Sequence, residues 1–351
     1  MTETEFRYTG ERFADIQLLR YRLNGFEQLS LSQKRFIYCL AKATLYGRDI
    51  TFNQFGKFNL LVRRTLEVIV EDLTIDRDND DFRALHTYLK RVWFSNGVYH
   101  HYGCEKFVPG FSETYFRSIL NKVESRRLPL ADGESVAHLA DTLSKIIFDA
   151  NYLPKRVNKA DGEDLVLTSA CNYYEGVTQK EAEDYYNAMK EGAGDNAPSF
   201  GLNSRLVKRD GMLSEEVYSA NGLYANAIRH IVSWLEKAIE FAENDKQRDV
   251  IATLIDYYRT GDLRTFDDYS IKWVECLDGR VDFINGFIEV YGDPLGLKAS
   301  WEGIVEYTDL EATRRTRTIS DNAQWFEDHS PVDERFRKPV VKGVTANVIC
   351  A

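Results

Sequence analysis

The chain has 351 residues, 44% of them hydrophobic, and a formal net charge of −10. That length supports a sizeable core in one large or two ordinary domains. The acidic balance argues against a nucleic-acid backbone as the main partner, because such binders present basic faces, and the absence of a long apolar run argues against a membrane anchor. An acidic surface is compatible with a cationic group such as the amino terminus of a peptide. Five cysteines, Cys39, Cys104, Cys171, Cys276 and Cys350, include no CxxC pair, which is the usage of free thiols in a reducing compartment. A cytoplasmic location is the expectation, with a periplasmic one only if a signal segment was removed before Met1.

Helical periodicity dominates the first half. Residues 13–23 read as a short helix with Ile16, Leu19 and Leu23 inward. Ser30 is the expected N-cap of a helix reaching Tyr46, with Phe36, Ile37, Leu40 and Ala41 on one face and Gly47 as its stop. Helices follow over 58–70 and 80–94, separated by a charged linker at 76–81, and again over 134–147 and 179–189. After a loop at 190–198, two alternating runs flank Asp210-Gly211, a hairpin signal. Further helical patterns cover 223–242, 248–258 and 267–277.

Two strand-like runs come next. In the first, from Val281, strict alternation places Phe283, Asn285, Phe287, Glu289 and Tyr291 on one face and Ile284, Ile288 and Val290 towards the other. Asp293-Pro294 and Gly296 end it in a tight turn, and 299–307 forms the second. A carboxylate and a phenol on the same face of an apolar strand either sit at the mouth of a cleft or face a cationic partner elsewhere in the chain. A helix over 310–326 and a last alternating run over 340–349 complete the pattern. Helices first and strands gathered late predict an α+β fold, with residues 1–190 as its mainly helical part, 191–351 as its mixed part, and both in one lobe. The chain stops inside a strand-like run at 345–350, so a fragment of a longer protein is expected.

The usual catalytic signatures are missing. There is no phosphate-binding loop, no GxSxG elbow and no HExxH pair, and Gly192-Ala-Gly194 follows a helix without a third glycine. His100, His101 and Cys104 are the densest metal-like group, but their spacing fits no common zinc site and reads as a polar, aromatic loop. His230 reads as a structural histidine, and the basic run from Arg314 to Arg317 as a salt-bridged helix face. The pairs Tyr173-Tyr174 and Tyr185-Tyr186 read as surface packing.

The stretch Gly286-Phe-Ile-Glu-Val-Tyr-Gly-Asp-Pro-Leu-Gly296 is more specific, and it resembles the substrate-binding motif of the dipeptidyl peptidase III family. Segments 13–21, 88–97, 167–177, 218–224 and 322–332 are similar to the bacterial branch of that family, in family order. The resemblance implies a zinc-dependent exopeptidase that releases dipeptides from the amino termini of short peptides. It assigns Glu289 to the substrate's α-ammonium, Tyr291 to the peptide near the scissile bond, and Trp273 to the cleft wall.

It also implies two lobes, and this chain resembles the lower one, a helical array packed with a β-barrel-like core. The zinc ligands and catalytic residues are expected beyond residue 351, so the chain alone is expected to be inactive and to hold no Zn2+. Its expected partners are an oligopeptide substrate and the remaining zinc lobe of the same protein. The alternative is a non-catalytic peptide-binding or interaction protein that retains only the barrel lobe.

Overall fold

The computed structural model describes residues 6–194, 197–343 and 346–351. A hairpin of β1 (Thr9–Phe13) and β2 (Ile16–Leu19) precedes helices α1 (Leu31–Gln54), α2 (Asn59–Glu71), α3 (Asp80–Ser95), α4 (Glu113–Leu120) and α5 (Val136–Phe148). Next come β3 (Tyr174–Glu175), α6 (Gln179–Ala193), β4 (Ser204–Arg209) and β5 (Met212–Val217). Helices α7 (Ala225–Ile239), α8 (Asp245–Thr260) and α9 (Leu263–Glu275) lead into β6 (Val281–Glu289) and β7 (Ser300–Thr308). The chain closes with α10 (Leu310–Asp321), α11 (Ala323–Asp328) and β8 (Ile349–Cys350).

The α+β class holds, but the barrel does not. Among the described residues the strands form three separate sheets, β1-β2, β3-β4-β5 and β6-β7-β8, and none closes on itself. Closing a barrel takes more strands than three, with a matched tilt and stagger. Here β7 gains only the two residues of β8, at Tyr307 and Thr308. Of the last alternating run, only Ile349–Cys350 is strand; Val344 and Thr345 lie outside the described residues. The expected helix over 310–326 is two helices, broken at Asn322, whose backbone leaves the helical region.

Local signals explain most helix starts. Ser30 Oγ accepts from Gln33 N at 3.2 Å while Gln33 Oε1 accepts from Ser30 N at 2.8 Å, a reciprocal cap that starts α1 where expected. Thr178 and Glu181 start α6 in the same way. Asp210 and Gly211 take φ of 52° and 79°, the two positive angles that a two-residue hairpin turn needs.

Two expectations near the N-terminus fail for tertiary reasons. Residues 13–23 contain a hairpin end, not a helix: Phe13 pairs with Ile16 across Ala14, whose φ is 47°. Leu18, Leu19, Tyr21 and Leu23 are exposed, so the apolar spacing there has no core to face. Gly47 does not stop α1. A Cβ at Gly47 would lie 2.1 Å from the Trp301 ring, so the missing side chain lets β7 come against the helix.

That approach organises the interior. Phe36, Leu40 and Ala43 of α1 share a core with Ile231 of α7, Leu254 of α8, and Phe283 and Phe287 of β6. Phe52, near the other end of α1, belongs to a second core with Leu66, Leu89, Phe116 and Leu143. A third, smaller cluster joins α6 and β4 through Tyr186 and Leu206. Thus α1 is the strut common to the two large cores.

Gly47→Ala tests the close approach. Alanine favours a helix interior by about 1 kcal/mol over glycine, yet forcing a methyl into packed aromatic surface costs roughly 1–3 kcal/mol. The expected result in urea unfolding is net destabilisation, relieved in part by Trp301→Leu in the double variant. A Gly47→Ala protein with an unchanged or higher midpoint contradicts this packing.

Candidate functional site

The strand pair β6–β7 carries the candidate residues, and a single extra residue decides where they point. Pairing runs from Val281↔Tyr307 to Phe287↔Trp301 and then jumps to Glu289↔Ser300, leaving Ile288 as a bulge. Val281, Phe283, Asn285 and Phe287 turn inward and are buried. Strict alternation would have kept Glu289 with them. The bulge moves it to the opposite, open face, beside Glu302, the cross-strand partner of Gly286.

Helix α1 holds the bulge in place. Gln54 is fully buried; its Nε2 donates to Ala299 O at 3.0 Å and its Oε1 accepts from Trp301 N at 2.8 Å. Ser300 Oγ then donates to Glu289 O at 3.2 Å. Beneath the sheet, Trp301 Nε1 donates to Tyr258 Oη at 3.0 Å, and Tyr258 donates to Asn285 Oδ1 at 2.5 Å. This chain satisfies the one amide side chain that the strand buries.

Glu289 and Glu302 are half-buried, and among the described residues no Lys or Arg nitrogen lies within 4.0 Å of either carboxylate. Burial, and then the charge of Glu289, hold Glu302 above the usual carboxylate range. Asp282 and Glu306, opposite one another at the far end, extend the acidic face. Tyr291 is 70% exposed; its phenol is pushed up by partial burial and by Glu289 and Glu302, and Arg156 acts in the opposite sense. Tyr291 and Arg156 line the same cavity.

Trp273 ends α9, with its indole N–H donating to Asp282 Oδ1 and to Phe283 O, each at 3.0 Å. It helps enclose an apolar cavity of 370 Å³ with Phe266, Tyr269, Ile284 and Ile288. Of the residues singled out from sequence, Glu289 and Tyr291 lie together and Trp273 stands nearer the start of β6. Glu302 was missed, because only the register places it beside Glu289.

The turn joining the two strands is pinned by buried charge. Asp293 accepts from Leu297 N at 2.8 Å, Lys298 N at 2.9 Å and Tyr174 Oη at 3.0 Å. Lys298 is fully buried, its Nζ donating to Tyr186 Oη at 2.6 Å, Ser204 O at 3.1 Å and Gly201 O at 3.3 Å. Tyr173 and Tyr186 are thus core residues, not the surface packing expected of them.

The loop with His100, His101 and Cys104 does not fit zinc. His100 Nδ1 accepts from Tyr102 N at 3.2 Å and Gly103 N at 3.1 Å, while Cys104 Sγ lies 3.6 Å from both Tyr102 O and Arg156 Nη2. Among the described residues no three His, Cys, Asp or Glu side chains gather to hold a metal. His230 stacks on Tyr46 at 4.6 Å, and Arg315 and Arg317 pair with Glu311 and Asp321 along α10.

Comparison with known proteins agrees with the motif. The family model described as Peptidase family M49 matches residues 155–343. The chain is 24% identical to dipeptidyl peptidase 3 of Dictyostelium discoideum over 341 residues, covering 91% of this chain and 48% of that protein. Against the human dipeptidyl peptidase 3 the identity is also 24%, covering 90% and 47%. The solved structure of DPP III from Caldithrix abyssi superposes with a TM-score of 0.60 at 16% identity, covering 90% of this chain and 47% of that one, which shows a shared fold. The chain thus spans about half the length of the relatives it matches. Among the described residues no helix is long and apolar enough to cross a membrane.

Lys298 supplies a stability test. Burial lowers its pKa from 10.5 to about 8, against the raising effect of Glu215 and Asp293. Between those two values the unfolded chain binds a proton that the folded chain does not, so this group's contribution to stability rises with pH from about 8 to 10.5. Lys298→Met should remove that slope in urea unfolding followed across this window. A variant that keeps the wild-type slope contradicts the assignment.

Proposed function

Because the chain belongs to peptidase family M49, we propose that it is the substrate-binding half of a zinc dipeptidyl peptidase that releases dipeptides from the amino termini of short peptides. The observation that carries the reading is the pair Glu289 and Glu302. Two half-buried carboxylates share the open face of β6–β7 with no Lys or Arg nitrogen within 4.0 Å among the described residues, and the charge of Glu289 raises the pKa of Glu302. An α-ammonium placed between them would form charge-assisted hydrogen bonds and remove that repulsion.

Fixing the amino end in this way sets how far along the peptide the reacting bond falls. Tyr291, next to the pair, would donate its hydroxyl to the peptide backbone, where it can stabilise developing oxyanion charge. Trp273 and the apolar cavity behind it would wall the same side of the sheet.

Zinc would activate the attacking water. The described residues offer no donor set for it. In this reading the metal ligands belong to the half of the relatives' length that the chain does not span, so that half is its partner and the chain by itself is inactive. The five free thiols agree with a cytoplasmic setting.

Calorimetric titration with a tetrapeptide and its N-acetyl form tests the ammonium anchor. Acetylation should weaken binding about 10- to 100-fold, the range expected for a charged hydrogen bond, and Glu289→Gln should weaken the free-amine peptide similarly without lowering the unfolding midpoint. Equal affinity for the two peptides removes Glu289 and Glu302 from the site.

A further inference from the structure

Tyr291 also lines a cavity of 580 Å³ whose other walls are residues 101–104 and 155–160. No Asp or Glu lines it. Arg156, in its wall, is only 8% exposed. The guanidinium lies 4.3 Å from the centre of the Phe55 ring, and Nη2 reaches His101 O at 3.3 Å and Cys104 Sγ at 3.6 Å. Its Nε has no acceptor at all. Among the described residues no carboxylate stands within 4.0 Å of it.

A guanidinium taken out of water is normally paired with an anion, because desolvation without one is costly. Lys155 and Lys159, exposed on the same wall, also lack an acidic partner among the described residues. His101 adds no charge, since burial, His100 and Arg156 together hold it below its ordinary pKa against the weaker pull of Asp15. Arg156, Lys155 and Lys159 thus stand around one cavity with no carboxylate within 4.0 Å among the described residues, while Glu105 lies against Gly103 and Glu163 accepts from Asn158 Nδ2.

The backbone fixes this arrangement. Arg156 N donates to Cys104 O at 2.9 Å, and Arg156 O accepts from Cys171 N at 3.0 Å. The backbones of Glu105 and Lys155 pair in an isolated antiparallel β-bridge, and Cys104 turns the loop with φ of 64°. The backbone of Arg156 is therefore tied to both flanking segments at the cavity wall.

We propose that this cavity is a carboxylate subsite, which receives the free C-terminal carboxylate of the peptide whose amino end the Glu289–Glu302 pair holds. The proposal rests on the reading of that pair as an ammonium anchor and deepens it, because it names the substrate class as short peptides with both ends free. Tyr291, two residues beyond Glu289, itself lines the cavity that holds Arg156, so the acid pair and the basic cavity adjoin through one residue. Arg156 presents the planar fork suited to a carboxylate, and the two lysines add a long-range field at the mouth.

The test uses N-acetylated tripeptides, whose blocked amino end takes Glu289 out of the measurement. The chain is titrated at low ionic strength with the peptide acid, its C-terminal amide, and an amide carrying a glutamate side chain, with amide NMR shifts followed at residues 101–104 and 155–160. The acid should bind about tenfold or more tighter than the neutral amide, shift those amides, and weaken with added salt.

Arg156→Gln should abolish the difference. Because that change touches a buried residue, Lys155→Gln/Lys159→Gln, on exposed positions, serves as the second variant and should weaken the acid several-fold. Because the amino end of these peptides is blocked, the comparison does not draw on the ammonium anchor, which separates failure here from failure of that reading. Recovery of binding by the glutamyl amide keeps the carboxylate subsite and assigns it to an acidic side chain in place of the C-terminus. Equal binding of acid and neutral amide, or no binding of any of them, overturns the proposal.

Discussion

The buried ammonium of Lys298 is the contact on which the candidate site most depends. A lysine wholly removed from water is tolerated only where its hydrogens are all engaged, and here a phenol, a hydroxyl and two carbonyls surround it. Those acceptors come from α6 and from the approach to β4, while the lysine comes from the turn between β6 and β7. One side chain therefore fastens the third core cluster to the strand pair. Asp293, five residues earlier, closes the same turn by accepting two backbone N–H groups and the Tyr174 hydroxyl. The distance between Glu289, before the turn, and Glu302, after it, follows from these bonds.

The strand pair has two faces with opposite demands. The inner face is aromatic and closely packed, and Gly47 on α1 admits Trp301 to the point where Gln54 can complete the backbone hydrogen bonding of Ala299 and Trp301. On the outer face, burial and the neighbouring acid raise the pKa of Glu302, beside Glu289, and of Glu306, opposite Asp282. Repulsion of that kind stores free energy that a cation can release on binding. Tyr291 also lines the cavity whose wall carries Lys155, Arg156 and Lys159.

Much of this was legible in the sequence wherever the signal is local. Ser30 and Asp210-Gly211 are short-range devices that form the cap and the turn expected of them, and Thr178 with Glu181 is a cap of the same short-range kind. The motif around Glu289 led to the family. What sequence reasoning missed depends on contacts between distant segments. Gly47 reads as a helix stop until Trp301 is laid over it, and residues 13–23 keep a helical spacing of apolar groups with no core to receive them. The barrel expected from the resemblance needs strands that the described residues do not supply. Arg156 carries no mark in the sequence at all, because its isolation from any carboxylate is a property of the folded loop.

The bulge at Ile288 answers the question that alternation left open. On the face shared with Phe283 and Phe287, the Glu289 carboxylate would enter an apolar core and need a protein cation to survive there. One extra residue rotates it to the open side, where the described residues present no such cation and Glu302 adds a second negative charge. A bulge is the least change that can reverse a single side chain while leaving the rest of the strand in register. Its cost is a broken ladder at one position, and the buried side chain of Gln54 offsets that cost by bonding to the partner strand on both sides of Ser300. The break in the ladder and the turning of the acid to the open face thus have one cause, which is the reason to look for the cation outside the described residues.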